Sequence, residues 1–416
     1  MPHSSWITDR ARRRVRRRVA ATIGATLVAG AVLGVGQGAH ADGWAPRPSE
    51  RHHSFPAEPV MRKLTPEVRA QLDNAIRNVL RTTKTPGVTV GLWAPGNGSY
   101  VRAFGTADKT TNAPMSPGFN MRIGSVTKTF TVTALLRLVD QKQVSLEDPI
   151  SRYVSGVPNG DHITLRHLAE MRSGLFNYLL DPDFGKDYLT DPRRVFTTAE
   201  MLAYSFRHPV AFAAGGKYQY SNTNTVLLSM VVQKVTGQPF DRYVAEHVLK
   251  PAHLKHTFMP QGTEFPAPHA RGYTDQTADG SIEDATDRNP LGGPSGAMIS
   301  NLDDMRSWAA TLAEGTLLSP ATQAERLTMK PTGLQGVGYG LGVFDVHGWI
   351  GHNGSLPGYQ TVVVRLPAAR ATLVVHTTSD IDFQGDALGT KFAQAVTSIV
   401  TPKNVYTLKP AGPAHG

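Results

Sequence analysis

The stretch MRIGSVTKTF, residues 121–130, places a glycine and a serine directly before an apolar run, with a lysine three residues after the serine. Residues three apart on a helix lie on one face, so the Ser125 hydroxyl and the Lys128 side chain can meet if Ser125 opens the helix. A serine there also lies beside free backbone N–H groups and the positive end of the helix dipole. The pattern therefore allows an activated serine, although Ser-x-x-Lys taken alone usually marks a solvated helix face.

Two other segments carry residues of compatible chemistry. In GGKYQYSNTNTVLL (215–228), Tyr220 and Asn222 lie between a glycine-rich loop and a helical run. A phenol beside a lysine ammonium can be pushed toward phenolate, which makes Tyr220 a candidate base. In GWIGHNGSLPGYQT (348–361), His352 lies on a predicted strand whose glycines indicate close approach of another backbone or a ligand. A core tyrosine, a helix cap at Asn222 and a structural histidine are the alternatives.

Strand and helix signals are segregated along the chain. Thr65 as N-cap and Pro66 predict a first helix, and two alternating segments joined by the Gly-Asn-Gly turn at 96–98 predict a hairpin. A mostly helical middle extends to about residue 300. The remaining strand signals are GYGLGVFDV, GWIGHNGS, GYQTVVVRLP and ATLVVHTTS, followed by a closing helix from about Asp386 to Val400. This order predicts an α+β fold, with an antiparallel sheet flanked by helices plus a mostly helical domain.

The N-terminal residues predict export. Seven arginines within residues 10–18 precede the weakly apolar run VAATIGATLVAGAVLGVG (19–36) and an A-x-A pattern at Ala39 and Ala41. This order is typical of a secretory signal peptide, residues 1–41, cleaved near Ala41, so we expect a secreted protein on the cell-wall side. An uncleaved signal anchor is the alternative, and Sec and twin-arginine export both stay open. After cleavage no stable membrane insertion is expected.

The rest of the chain is predicted to divide into a Pro/Arg-rich linker (42–64), one folded domain (65–402) and a C-terminal tail (403–416). The formal net charge of +10 falls to +4 without the arginine cluster and Asp9, and the remaining charges are scattered. This distribution argues against nucleic-acid binding. The absence of cysteine excludes a disulfide framework, a thiolate metal site and a cysteine nucleophile. We expect no metal, no cofactor and a monomer.

Taken together, the three motifs resemble those of the penicillin-recognising serine hydrolases, in their usual order. The chain resembles secreted serine D-Ala-D-Ala carboxypeptidases and is similar to class C β-lactamases and their esterase relatives. The likeness covers nearly all of residues 65–400. It includes LEDPISRYV, RSGLFNYL, YSNTNTVLLSMVVQKVTGQPF, HTFMP, SGAMISNLDDM and YGLGV.

The resemblance implies a helical domain packed on an antiparallel sheet, with the active site in the groove between them. It implies that Ser125 attacks a D-Ala-D-Ala amide, Lys128 helps to deprotonate it and Tyr220 passes a proton to the leaving amine. Substrate binding would fall to Asn222, on the substrate's amide, and to His352, Gly354 and Ser355. His352 would keep positive or hydrogen-bonding character beside Tyr220. The backbone N–H groups of Ser125 and Ser355 would form the oxyanion hole, and the Ser355 hydroxyl would help to bind a carboxylate.

Two departures from the family pattern bear on specificity. His352-Asn353-Gly354 stands where Lys-Thr-Gly or His-Thr-Gly is usual, and LGVFDVHGWI (341–350) lacks the arginine that carboxypeptidase relatives can use for the terminal carboxylate. The expected function is a penicillin-binding D-Ala-D-Ala carboxypeptidase acting through an acyl-enzyme on peptidoglycan-type peptides, with a small peptide or a β-lactam as partner. The alternatives are an esterase, a D-amino-acid amidase or peptidase, a class C-like β-lactamase and a penicillin-binding sensor without turnover.

Overall fold

The computed structural model describes residues 60–408, so the predicted signal peptide, residues 42–59 of the predicted linker and residues 409–416 of the predicted tail lie outside it. Thirteen strands are present in that part of the chain. In order they are β1 (Gly87–Ala94), β2 (Gly98–Asp108), β3 (Ala113–Pro114), β4 (Met121–Arg122), β5 (Tyr273–Thr274), β6 (Glu283–Asp284), β7 (Ile299–Ser300), β8 (Lys330–Pro331), β9 (Val337–Tyr339), β10 (Phe344–Val346), β11 (Trp349–Leu356), β12 (Tyr359–Leu366) and β13 (Ala371–Thr377).

The helices of the same part of the chain lie mostly between β4 and β8. They are α1 (Pro66–Thr83), α2 (Thr127–Asp140), α3 (Leu165–Ala169), α4 (Pro182–Thr190), α5 (Thr198–Phe206), α6 (Asn222–Thr236), α7 (Phe240–Val244), α8 (Leu302–Glu314), α9 (Pro320–Arg326) and α10 (Leu388–Val400). No helix among the described residues is long and apolar enough to cross a membrane.

Nine strands form one antiparallel sheet in the order β3-β2-β1-β13-β12-β11-β10-β9-β8. Strands β1, β12 and β13 are buried along their whole length, because both faces of the sheet are covered. The outer face carries Val90, Val362 and Val375, which pack with buried residues of α1 and α10. The inner face carries Thr361 and Val374, and α8 and the helical region cover it. The strands therefore separate two apolar cores.

Helix α2 lies at the centre of the helical region, against α6. Nearly every residue of α2 is buried, including four threonines, so their hydroxyls need partners inside the protein. Thr129 and Thr133 donate to the carbonyls of Val126 and Thr129 at 2.7 and 2.6 Å, and Thr131 donates to the Pro294 carbonyl at 2.6 Å. These bonds allow a threonine-rich helix to be fully enclosed.

The α+β architecture is confirmed, as are several local predictions. Helix α1 begins at Pro66, where the Thr65 hydroxyl accepts a hydrogen bond from the Val68 N–H. The hairpin of β1 and β2 turns at residues 95–97, and the closing helix begins at Leu388 rather than Asp386. The segment GYGLGVFDV is not one strand but two, β9 and β10. The chain turns between them at Gly342, whose φ of 70° favours glycine and where a Cβ would lie 2.7 Å from Val132.

Candidate active site

The serine of the first motif lies in a tight turn that leads into α2. Residues Gly124–Val126 form one 3₁₀ turn, the nucleophile turn, and the α-helix follows from Thr127. Gly124 has φ of 53°, and a Cβ there would lie 2.7 Å from the backbone nitrogen of Ser355 on β11. Both the positive φ and the close contact require glycine at position 124, because this turn packs directly against β11. Ser125 itself remains partly exposed.

Lys128 is fully buried, one turn after the serine, and contacts three oxygen atoms. Its Nζ lies 2.8 Å from Ser125 Oγ, 2.7 Å from Asn222 Oδ1 and 2.6 Å from the Ser295 carbonyl. Burial lowers the pKa of Lys128 well below that of a free lysine, because the charged form loses its hydration. The structure thus brings together Ser125, Lys128 and Asn222, and burial makes the amine beside the serine easier to deprotonate than a free lysine.

Tyr220 forms the next wall of the site and is 8% exposed. Its ring centre lies 4.9 Å from Lys128 Nζ, and its hydroxyl makes no hydrogen bond of normal geometry with any described residue. Burial raises the pKa of Tyr220, and the nearby Ser125 hydroxyl offsets only part of that rise. The phenolate considered from the sequence is therefore not favoured: the structure supports a neutral phenol close to the serine and leaves the base role to Lys128.

The N–H groups predicted to form the oxyanion hole come from two backbones in direct contact. A Cβ on Gly354 would lie 2.0 Å from the Ile123 carbonyl oxygen and 3.0 Å from the Ser125 nitrogen. No side chain fits there, so β11 passes directly against the nucleophile turn. The Ser125 and Ser355 amides are therefore close neighbours, and both residues are partly exposed.

His352 is fully buried among aromatic rings instead of facing the groove as a cation. Its ring centre lies 6.2 Å from that of Tyr220, 6.0 Å from Tyr339 and 4.9 Å from Phe344. The Nδ1 atom lies 2.5 Å from the Asn353 carbonyl, an obligatory acceptor, so Nδ1 carries the hydrogen and Nε2 accepts from the Tyr339 hydroxyl at 3.3 Å.

The protonation state of His352 follows from the same surroundings. Burial and then the Lys128 charge lower the pKa of His352 to about 3, against a smaller opposite effect of the bond to the Asn353 carbonyl. The positive charge considered at this position is therefore absent at neutral pH. The imidazole Nε2 accepts its hydrogen bond from Tyr339, and the imidazole makes none with Tyr220.

Three further residues complete the site and were given no role from the sequence. Ser295 supplies a backbone carbonyl to Lys128, Asn177 accepts from the side chain of Asn222 at 3.2 Å, and Tyr339 binds His352. Asn177 and Ser295 lie in the segments RSGLFNYL and SGAMISNLDDM, which carry the family resemblance. The sequence therefore marked their segments but gave neither residue a role. Among the described residues, no group of three or more His, Asp or Glu side chains is arranged to hold a metal ion.

Comparison with known proteins gives the site its context. The family description "Beta-lactamase" matches residues 72–397. The chain is 27% identical over 252 residues to protein flp of Staphylococcus aureus (strain MW2), covering 59% of this chain and 49% of flp. It is 26% identical over 266 residues to a Bacillus subtilis (strain 168) protein named penicillin-binding protein PbpX, covering 64% of each. The chain thus spans about half the length of flp.

Two solved structures match over nearly their whole length. A D-stereospecific amidohydrolase from Streptomyces sp. is 28% identical with a TM-score of 0.70, covering 79% of this chain and 97% of that one. The D-amino acid amidase from Ochrobactrum anthropi SV3 is 28% identical with a TM-score of 0.69, covering 79% and 98%. The chain therefore belongs to the Beta-lactamase family, a family of serine hydrolases, and has the fold of that family.

Proposed function

We propose that the protein hydrolyses amides and esters of D-amino acids through a covalent acyl-enzyme on Ser125, and that it prefers substrates without a free terminal carboxylate. One observation carries the preference. His352 of the third motif is neutral and buried among Tyr220, Tyr339 and Phe344, so it offers no positive charge to a substrate carboxylate. A carboxylate buried without a cation or several strong donors loses more hydration energy than it regains.

The chemistry follows from the hydrogen bonds around Lys128. A neutral amine has two hydrogens, and two carbonyl oxygens, Asn222 Oδ1 and the Ser295 backbone oxygen, are placed to take them. The remaining lone pair then faces Ser125 Oγ at 2.8 Å and can accept its proton as the oxygen attacks the substrate carbonyl. The Ser125 and Ser355 N–H groups would hold the developing oxyanion.

The second half of the acylation step needs a proton at the leaving group. The Tyr220 phenol is neutral and close to Ser125, so it can pass a proton to the leaving amine or alkoxide while Lys128 returns its own proton to the phenol. Water then attacks the ester on Ser125, and the same groups act in reverse. Two structural neighbours bear names that fit this substrate class, a D-stereospecific amidohydrolase and a D-amino acid amidase.

D-Ala-D-Ala carboxypeptidase activity is the second candidate. The relative named penicillin-binding protein PbpX favours it, as does the partly exposed Ser355 hydroxyl, which could bind a carboxylate. The two candidates differ in how the charged end of the substrate affects the rate.

The deciding experiment compares kcat/KM for D-alaninamide, L-alaninamide, N-acetyl-D-Ala-D-Ala and the methyl ester of that dipeptide, with a chromogenic cephalosporin as a further arm. We expect D over L, and the methyl ester turned over at least as fast as the free acid. Ser125→Ala should abolish all turnover, whereas Ser116→Ala, a partly exposed serine outside the site, should not. A free acid preferred by more than about tenfold, or 1.4 kcal/mol, would instead establish the carboxypeptidase. Fast cephalosporin turnover would indicate a β-lactamase.

A further inference from the structure

Asn177 lies just outside the catalytic group, at the start of a short turn between α3 and α4, and is 7% exposed. Its Oδ1 lies 3.2 Å from the backbone nitrogen of Asn222, 3.2 Å from Asn222 Nδ2 and 3.4 Å from the backbone nitrogen of Leu179. One amide oxygen therefore receives three N–H groups, two of them from the same catalytic neighbour.

These contacts fix the orientation of two amides. Backbone N–H groups can only donate, so the atom of Asn177 that faces the Asn222 and Leu179 nitrogens must be the oxygen. An oxygen there requires a donor from the Asn222 side chain, which turns Nδ2 toward Asn177. The Asn222 Oδ1 is then directed away from Asn177 and toward Lys128 Nζ, at 2.7 Å.

We propose that Asn177 is a positioning residue: it holds the Asn222 amide so that an oxygen, and never an N–H group, faces Lys128, and thereby keeps the lysine lone pair on Ser125. This inference rests on the proposed role of Lys128 as the base. If the Asn222 amide flipped, its NH₂ group would face the amine. The lone pair of Lys128 would then accept from Asn222, and Ser125 would lose its base.

The loop that carries Asn177 is held in place by the end of α5 and by the start of α6, the helix that begins with Asn222. The carbonyl of Phe176, the preceding residue, accepts three hydroxyl groups, from Ser205, Ser221 and Thr223 at 2.7, 3.3 and 2.7 Å. The Phe176 ring stacks on His208 with ring centres 3.7 Å apart. Asn177 is thus presented to Asn222 by a loop with little freedom to move.

The test must separate orientation of Asn222 from ordinary support of the fold, since Asn177 also caps its own turn. The pKa of Lys128 does this. With an oxygen facing it, the ammonium form is stabilised; with an NH₂ group facing it, that form is destabilised. Protein carrying ¹³C-labelled lysine can be titrated by NMR, with the Lys128 resonance assigned by its loss in Lys128→Arg. The rate of acylation by p-nitrophenyl acetate gives the second readout.

Two substitutions of Asn177 should act in opposite directions. Asn177→Ala should lower the Lys128 midpoint by about one pKa unit and slow acylation by about 10²-fold. Asn177→Asp keeps oxygens for the Asn222 N–H groups and adds a negative charge. Its Lys128 midpoint should therefore rise, while acylation above that midpoint stays within about tenfold of wild type. Asn224→Ala is the matched control, because Asn224 is another buried asparagine and lies in α6 beside Asn222. Its side chain accepts from the Ser173 hydroxyl and donates to the Leu168 carbonyl, away from Lys128.

An Asn177→Ala titration that superimposes on wild type, or an Asn177→Asp acylation rate as low as that of the alanine variant at high pH, would overturn the inference. So would an equal Lys128 shift in Asn224→Ala. The readouts do not depend on the natural substrate. Wild type that is acylated by the ester but inert toward D-amino-acid amides would contradict the proposed substrate class and leave the Asn177 inference standing. Normal turnover of D-amino-acid amides by wild type, together with an unshifted Lys128 titration in Asn177→Ala, would support the proposed substrate class and overturn the Asn177 inference.

Discussion

The contact between Gly354 and the nucleophile turn predicts a large effect from adding one methyl group. In Gly354→Ala the new Cβ would lie 2.0 Å from the Ile123 carbonyl oxygen, whereas ordinary contact begins at 3.4 Å. Both partners are backbone, so no side chain can rotate away, and β11 must move from the turn by roughly 1 Å or more. Gly354 has no positive φ, so the effect is one of space and not of backbone conformation.

That displacement carries the Ser355 N–H away from the Ser125 N–H. If the two amides form the oxyanion hole, the variant loses one donor, which costs about 10²- to 10³-fold in kcat. KM should change much less, because the donor acts mainly in the transition state. A boronic acid forms a tetrahedral adduct with the serine and places an oxygen at the same point, so its inhibition constant should rise by a similar factor. Overpacking should also lower the free energy of unfolding by about 1–3 kcal/mol.

The assay is the steady-state hydrolysis of a nitrophenyl ester, with folding monitored by circular dichroism and denaturant titration. Gly389→Ala serves as the control. It adds the same methyl group to another buried glycine, where the nearest atom, Val362 Cγ2, lies at 3.4 Å. The reasoning is refuted if folded Gly354→Ala keeps kcat and boronic acid affinity within twofold of the control.

Two further predictions concern protonation. Because burial lowers the pKa of Lys128, the rate of Ser125 acylation should stay at its plateau well below pH 10.5 and fall only as the pH drops through the lowered pKa. In Lys128→Arg, whose side chain cannot become neutral, the acylation rate should fall by about 10²- to 10⁴-fold. An unchanged pH–rate profile would contradict this prediction. Burial raises the pKa of Asp380 from 3.8 to about 7, so native protein retains a proton that unfolded chains release and its stability falls between pH 4 and 7. The stability of Asp380→Asn minus that of wild type should therefore increase over this range, by at most about 4 kcal/mol in urea unfolding, and a flat difference would contradict it.

The parts of the site that could be predicted from the sequence are those fixed by short spacing. Ser125 and Lys128 are one helical turn apart, and Asn222 begins a helix, so local geometry brings their side chains to defined places. The glycines of β11 also indicated close approach of another backbone or a ligand, and at Gly354 the structure shows the backbone of Ile123. These features depend on residues close together in the chain, so they appear as recognisable spacings in the sequence.

The parts that could not be predicted depend on contacts between distant segments. The Ser295 oxygen that binds Lys128 belongs to the backbone, so any residue there could supply it. Asn177 is one polar residue in a loop, with no spacing relative to Asn222 that indicates contact. The neutral state of His352 follows from the rings around it, which come from three separate strands or loops. Charge state in a buried site is set by burial, and burial is a property of the folded chain.

The position of the first and last described helices has a practical consequence. The Arg62 N–H donates to the Val400 carbonyl at 2.9 Å, and Trp349 Nε1 donates to the Asn404 carbonyl at 2.7 Å, so both described ends of the chain lie beside α1 and α10 on the outer face of the sheet. The turn before Ser125 lies on the inner face, where the Thr361 hydroxyl approaches the Arg122 carbonyl. Residues 60 and 408 therefore lie on the side of the sheet opposite the nucleophile. A tag, a solid support or a fused domain joined directly at residue 60 or residue 408 would start on the far side of the sheet and leave the groove open to large substrates.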